Sequence, residues 1–228
     1  MTPIYKAHLI TSNEIYLYML EKIIKLEYKP GILISENDLC EKYDTTRHTI
    51  RGALVLLKEK GFIDVYPQRG TYVSLINLDY IENVIYIREA VAQETIHEIM
   101  KKGISKESIL KLKESLNEQR KIKNLKKNAD QFYELDDEFH ALLLEAVGRK
   151  DVFNMLRDGH LHVRRWRNVE VETLDRIEEL PKEHEQIVEA IEAHDESLAR
   201  TLLNHHIDSV NQYSKVVLEK HPEYFLNK

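Results

Sequence analysis

Cysteine is nearly missing from this chain: Cys40 is the single one among 228 residues. One thiol excludes an intramolecular disulfide and fits a reducing cytosol, and Cys40 reads as a small packing residue. Glycine and proline are scarce too, at seven and five residues, which excludes a turn-rich or disordered chain and favours a compact, mostly helical one. No window approaches 18 uninterrupted apolar residues, so no membrane span is expected. A basic flank followed by an apolar run is missing near the N-terminus, so no secretory signal is expected either. Together these absences predict a cytoplasmic protein.

What is present is unevenly spread. The net charge is −6, yet residues 1–75 hold ten Lys and Arg against nine Asp and Glu, for a net of +1, and the rest carries −7. Whole-chain charge therefore neither supports nor excludes a nucleic-acid partner, and local clustering decides. The length allows one large domain or two small ones.

The pattern places a helix from Ser12 to about Tyr28, ended by Pro30-Gly31, then an extended run Ile32–Ile34. Ser35 is an N-cap for a helix through Tyr43, with Glu36 and Asp38 in its first turn. Asp44-Thr45 makes a turn, and Thr45 or Thr46 caps a helix that stops at Gly61. In that helix Ile50, Ala53, Leu54 and Leu57 form an apolar stripe, while Arg47, Arg51 and Lys58 share the opposite face. Two β-like runs, Phe62–Tyr66 and Thr71–Leu75, are joined by Pro67-Gln68-Arg69-Gly70 into a hairpin with a cationic tip. Helix, helix and hairpin predict a winged helix-turn-helix over residues 1–75, its second helix entering a DNA major groove.

The stretches Leu33–Leu39, Thr46–Leu54, Gly61–Ile63 and Arg69–Val73 resemble the GntR family of bacterial transcription regulators. Thr46, Thr49 and Gly52 depart from the family's usual serine, proline and acidic residue. Thr46 retains a capping hydroxyl, and Gly52 costs the helix about 1 kcal/mol relative to alanine. The resemblance implies that Arg47 and Arg51 contact bases or phosphates of double-stranded operator DNA and that the wing at Arg69-Gly70 reaches the minor groove or backbone. The full set expected at the DNA is Thr46, Arg47, His48, Thr49, Arg51, Lys58, Arg69 and Gly70.

Residues 76–78 read as a linker and 79–228 as an all-helical bundle of about six helices. Asp79 is the expected cap of a helix over 80–102, Ser105 opens one to about Lys127, and further helices are expected over 129–147, 149–168, 182–194 and 196–219. Residues 169–180 are the least regular. The lysine-rich run at 121–127 suits a solvated helix C-terminus better than a nucleic-acid contact.

Asp136 and His140 lie four residues apart on one inward face, beside Phe132, Phe139 and Leu143. His184 precedes the inward Ile187, Val188 and Ile191, and His206 falls on an apolar stripe between Leu202 and Val210. His205 competes with His206, which the periodicity favours only slightly. Three imidazoles and a carboxylate entering one bundle suit a divalent ion such as Zn²⁺, Ni²⁺ or Mn²⁺. His97, His160, His162, His194 and His221 read as surface or packing residues.

Residues 79–219 in turn resemble the FCD ligand-binding domain of the FadR subfamily, through Tyr86–Val91, Asp136–His140, Glu183–Ile191 and Asp195–His206. The resemblance implies that Asp136, His140, His184 and His206 are metal ligands, and the full set argues against the acyl-CoA-binding branch. Open positions on the ion would admit a small carboxylate effector, with Arg88 as a second anchor through its fork of donors. Arg164 and Arg165 are weaker anchors, on a helix face that could equally be solvated or an interface. The expectation is a homodimeric, effector-responsive repressor, not an enzyme. The competing readings are a metal-dependent hydrolase or lyase and a direct metal sensor. A complete DNA-reading module, and no obvious non-ligand base near the four residues, weigh against the enzyme.

Overall fold

The computed structural model describes residues 10–174 and 176–226. They fall into two compact units, divided between Ile76 and Asn77, with the C-terminal stretch from Glu223 counted in the first unit.

The first unit holds α1 (Ser12–Ile24), β1 (Leu33–Ile34), α2 (Glu36–Lys42), α3 (Arg47–Glu59), β2 (Ile63–Tyr66) and β3 (Gly70–Val73). Thr11 and Glu14 form a capping box on α1. The helix ends short of Tyr28 because Leu26 turns to φ 62° and the Tyr28 N–H reaches back to the Lys22 carbonyl. Ser35 caps α2, and Thr46 rather than Thr45 caps α3 by accepting from the Thr49 N–H. Between them Asp44 takes the left-handed conformation, φ 45°, that makes the turn tight. Ile15, Met19 and Ile23 of α1 and Ile50, Ala53 and Leu57 of α3 are fully buried. The sheet order is β1-β3-β2, antiparallel throughout, with Tyr66 opposite Gly70 so that residues 67–69 form the wing tip.

The bundle unit holds α4 (Leu78–Lys102), α5 (Lys106–Lys121), α6 (Ala129–Ala146), α7 (Lys150–Met155), α8 (Arg157–Thr173), α9 (Leu180–Glu192), α10 (Glu196–Ile207) and α11 (Ser209–Lys220). That makes eight α-helices among the described residues rather than about six. Asn77, not Asp79, caps α4, its side chain accepting from the Tyr80 N–H. α5 stops at Lys121, not Lys127, because Ile122 becomes extended and Asn124 turns to φ 54°. That turn carries Leu125 into a cluster with Phe132, Tyr133 and Ile177, so most of the lysine run lies beyond the helix end. The helix expected over 149–168 breaks at Leu156 and resumes as α8, which runs on to Thr173. The one expected over 196–219 breaks at Asp208, two residues after His206. No helix among the described residues is long and apolar enough to cross a membrane.

Candidate functional site

α6 projects Asp136 and His140 one helical turn apart, α9 contributes His184 after its N-terminal Pro181, and the last turn of α10 contributes His206. Phe139 stacks on the His184 ring with centroids 4.1 Å apart, fixing its plane. Asp136, His184 and His206 are buried and His140 nearly so. His205 points to solvent, so burial decides between the two neighbouring histidines in favour of His206.

The facing atoms converge. The Nε2 atoms of His184 and His206 are 3.0 Å apart, those of His140 and His206 3.2 Å. Asp136 Oδ1 lies 3.3 Å from the His184 Nε2, 3.4 Å from that of His206 and 4.0 Å from that of His140. On their far sides the rings are held by acceptors. His206 Nδ1 is 2.8 Å from the Glu183 carboxylate, and His184 Nδ1 is 2.8 Å from Gln119 Oε1. A carboxylate only accepts, so His206 carries its proton on Nδ1, and the Gln119 oxygen places the His184 proton likewise. In the neutral rings both Nε2 atoms then face one another and a carboxylate oxygen that has no hydrogen-bond partner. Lone pairs gathered this way repel unless a proton or a metal cation sits among them. Separations of about 3.0–3.4 Å are the edges of a coordination shell with bonds near 2.1 Å. The four residues fit a divalent metal ion, and their outer partners follow the pattern that orients metal-bound imidazoles.

Electrostatics agree. Burial works against the charge on Asp136, but its neighbours, the Arg167 guanidinium foremost, override it and hold the carboxyl well below its usual range. Arg167 Nη1 donates to Asp136 Oδ2 at 2.6 Å, leaving Oδ1 for the centre. Burial lowers the His184 pKa to about 4, aided by His206, and holds His140 well below its ordinary value. Neutral imidazoles are what a metal requires.

Beside this cluster is a cavity of about 40 Å³ reached by Arg88, His140 and His160. Arg88 is 8% exposed, and burial, with Arg167 nearby, lowers its pKa to about 10. Among the described residues no side chain hydrogen-bonds Arg88, though the Asp136 and Asp137 carboxylates partly offset that lowering. His160, expected to be a surface or packing residue, lines the same cavity, and its Nδ1 is buried without a hydrogen-bond partner.

The face carrying Arg164 and Arg165 is neither solvated nor free. Arg165, Trp166, Arg167, Val169 and Glu170 are all buried, and Arg164 bonds Asp130. Arg164 and Arg165 do not line the cavity. Gln119, Glu183 and Arg167 were missed by sequence reasoning. A signal for Arg167 existed, since Val163, Trp166, Arg167 and Glu170 follow the i, i+3, i+4, i+7 seam of an inward helix face.

At the other unit Thr46, Arg47, His48, Arg51 and Lys58 are exposed on or before α3, and Thr49 is half-buried. Arg69 and Gly70 are exposed at the wing. Arg47 donates to Asn37 Oδ1 at 2.8 Å, and Arg51 pairs with the Glu36 carboxylate at 3.1 Å, so α2 holds both arginines in place.

Compared with known proteins, residues 11–73 match the bacterial regulatory proteins of the gntR family and residues 83–209 match the FCD domain. The chain belongs to the GntR family and carries an FCD domain. It is 25% identical over 214 residues to the HTH-type transcriptional repressor RspR of Escherichia coli K12, covering 94% of this chain and 93% of that protein. It is 24% identical over 218 residues to the Uxu operon regulator of Haemophilus influenzae, covering 83% and 78%. Among solved structures, E. coli McbR/YncC superposes with a TM-score of 0.65 at 14% identity, covering 92% of this chain and 98% of that one. A GntR regulator from Rhodococcus sp. RHA1 gives 0.66 at 18%, covering 90% and 97%. This GntR-family protein is therefore a DNA-binding transcription regulator, not an enzyme, with an N-terminal winged helix-turn-helix and a C-terminal helical FCD domain.

Proposed function

We propose that this regulator is a cytoplasmic, homodimeric repressor whose hold on its operator is set by a small carboxylate bound beside a divalent metal. The observation that carries this reading is the juxtaposition of two needs: converging lone pairs that call for a cation, and beside them a buried guanidinium that calls for an anion. The printed role of the relative RspR, a transcriptional repressor, supports the direction of control.

Asp136, His140, His184 and His206 would hold the ion, which when bound supplies open positions for a carboxylate oxygen. The mixed nitrogen and oxygen set suits Zn²⁺, Ni²⁺ or Mn²⁺. Arg88 orients the anion from α4, while Leu203 and Ile207 of α10 form part of the same cavity wall. α4 begins at Leu78, directly after the boundary between the units, so a shift of α4 on binding is transmitted along the chain to the DNA-reading unit. Switching requires the acid to bind the operator-bound and free states with different affinity. A cavity lined by the buried Arg88 favours an acid as the signal over the ion alone.

The test is made on the full-length chain. Arg47→Ala with Arg51→Ala is expected to abolish operator binding in fluorescence anisotropy while sedimentation still reports a dimer. Retained operator affinity would sink the assignment of α3. His184→Ala with His206→Ala is expected to empty the site of metal by elemental analysis, and full occupancy would reject the ligand set.

A further inference from the structure

We infer that the Tyr72 hydroxyl is the positioning group of the wing, holding the turn that aims Arg69 at DNA. This rests on the expectation that Arg69 meets DNA and adds what orients it.

The three arginines expected at DNA are not held alike. Arg47 and Arg51 of α3 are tied by their side chains to Asn37 and Glu36 of α2. Among the described residues no side chain hydrogen-bonds or ion-pairs with the Arg69 guanidinium, which is exposed at the wing tip. The direction of Arg69 is therefore set by its backbone, and the backbone there is a turn that its own sequence only half favours. The Arg69 N–H donates to the Tyr66 carbonyl at 3.0 Å, closing Tyr66-Pro67-Gln68-Arg69. Pro67 suits the second place of such a turn. Gln68, in the third, stands at φ 61°, a left-handed conformation that type II turns usually give to glycine. A Cβ resists that conformation, so the turn needs support from outside its four residues.

Tyr72 supplies that support. Its hydroxyl donates to the Arg69 carbonyl at 3.0 Å. The phenol is fixed in its turn: the Tyr66 ring meets it edge-on with centroids 5.9 Å apart, and Leu33 of β1 lies opposite it in the sheet register. Gly70 separates the tip from Tyr72. A Cβ there would stand 2.7 Å from Leu33 Cδ1 and 3.6 Å from the Tyr72 Cε2, so glycine leaves the space that Leu33 and the phenol fill. Phenylalanine at 72 would pack in the same way and leave the Arg69 carbonyl to water. The single hydroxyl thus separates a preset wing from a loose one, and ordering a loose wing at the DNA costs affinity.

The test is fluorescence anisotropy with the full-length protein and a duplex that the wild type itself selects from a randomised pool. Tyr72→Phe is expected to weaken binding about fivefold, the worth of one hydrogen bond, with an unchanged circular dichroism spectrum. In an Arg69→Ala background the same substitution is expected to change affinity by less than about twofold. Gln68→Gly, which puts the residue this turn favours in its third place, is expected to bring Tyr72→Phe back to within about twofold of the wild type. An unchanged affinity in Tyr72→Phe overturns the inference. An equal loss with and without the Arg69 side chain also overturns it, because the hydroxyl would then touch DNA or support the fold instead. No rescue by Gln68→Gly removes the turn from the argument and the inference with it. A harmless Arg69→Ala takes the wing guanidinium off the DNA and sinks the inference, leaving intact the reading of α3, which is tested through Arg47 and Arg51.

Discussion

Gly52 lies mid-helix in α3, where alanine would raise helix propensity by about 1 kcal/mol. A Cβ at that position would stand 2.5 Å from Ser12 Oγ and 2.9 Å from Ser12 Cβ. That hydroxyl cannot simply swing aside, because it donates to the Thr49 carbonyl at 2.8 Å. Overpacking of about 1–3 kcal/mol outweighs the propensity gain. Gly52→Ala is therefore expected to lower the melting temperature, and a higher one would show that Ser12 yields without cost. His160 allows a test of pH dependence. Burial lowers its pKa to about 3 from an ordinary 6.5, so the unfolded chain binds the extra proton between those values. Its contribution is intact above pH 6.5 and lost as pH falls toward 3. Urea midpoints followed over that window should fall less steeply for His160→Phe than for the wild type. Parallel slopes would mean that His160 is already protonated, or not buried, in the folded protein.

At the level of elements, α2 supports the output of α3. The Arg51–Glu36 pair is exposed on the arginine side and is worth less than about 1 kcal/mol, but it holds a DNA-facing cation beside an anion that phosphates must displace. Glu36→Gln is expected to tighten operator binding by up to about fivefold. It should do so without changing the sequence preference, as read by anisotropy across a salt series. Weaker binding would mean that Glu36 orients Arg51 rather than competing with DNA. α8 makes the opposite lesson. Its polar sequence, with three arginines around Trp166, suits a solvated face or an interface, whereas the structure turns Arg165, Trp166 and Arg167 inward. The seam of Val163, Trp166, Arg167 and Glu170 marks that face as inward, but periodicity cannot name what Arg167 meets there, because the compensating carboxylate of Asp136 comes from α6, some thirty residues earlier.

For the whole molecule, the boundary between units is not where the chain order suggests. The stretch from Glu223 clusters with the DNA-reading unit: the Ile76 N–H donates to the Tyr224 carbonyl at 2.8 Å, and the Leu226 N–H to the Ile76 carbonyl at 3.1 Å. Tyr224 and Phe225 are buried. Truncation after Pro222 is expected to destabilise the N-terminal unit by roughly 3–5 kcal/mol at most, from the loss of two buried aromatics. In calorimetry the melting temperature should fall while metal content stays at wild-type level. An unchanged melt would show that the tail contributes nothing to that unit.

The winged helix-turn-helix was legible because its signals are local. Ser35 and Thr46 cap adjacent helices, the stripe Ile50, Ala53, Leu54 and Leu57 sets the buried face, and Gly61 and Gly70 mark the turns at positive φ. Asp136, His140 and His184 stood out for the same reason, as polar residues on apolar faces, while their reading as ligands came from the resemblance to the FCD domain. Long-range partners could not be read. Helical periodicity names the face a residue occupies but not what lies opposite. Glu183 behind His206, Gln119 behind His184, Arg167 on Asp136 and the tail on Ile76 come from packing across the fold. So does the choice of His206 over His205, which one residue of helical rotation, about 100°, turns from solvent into the core.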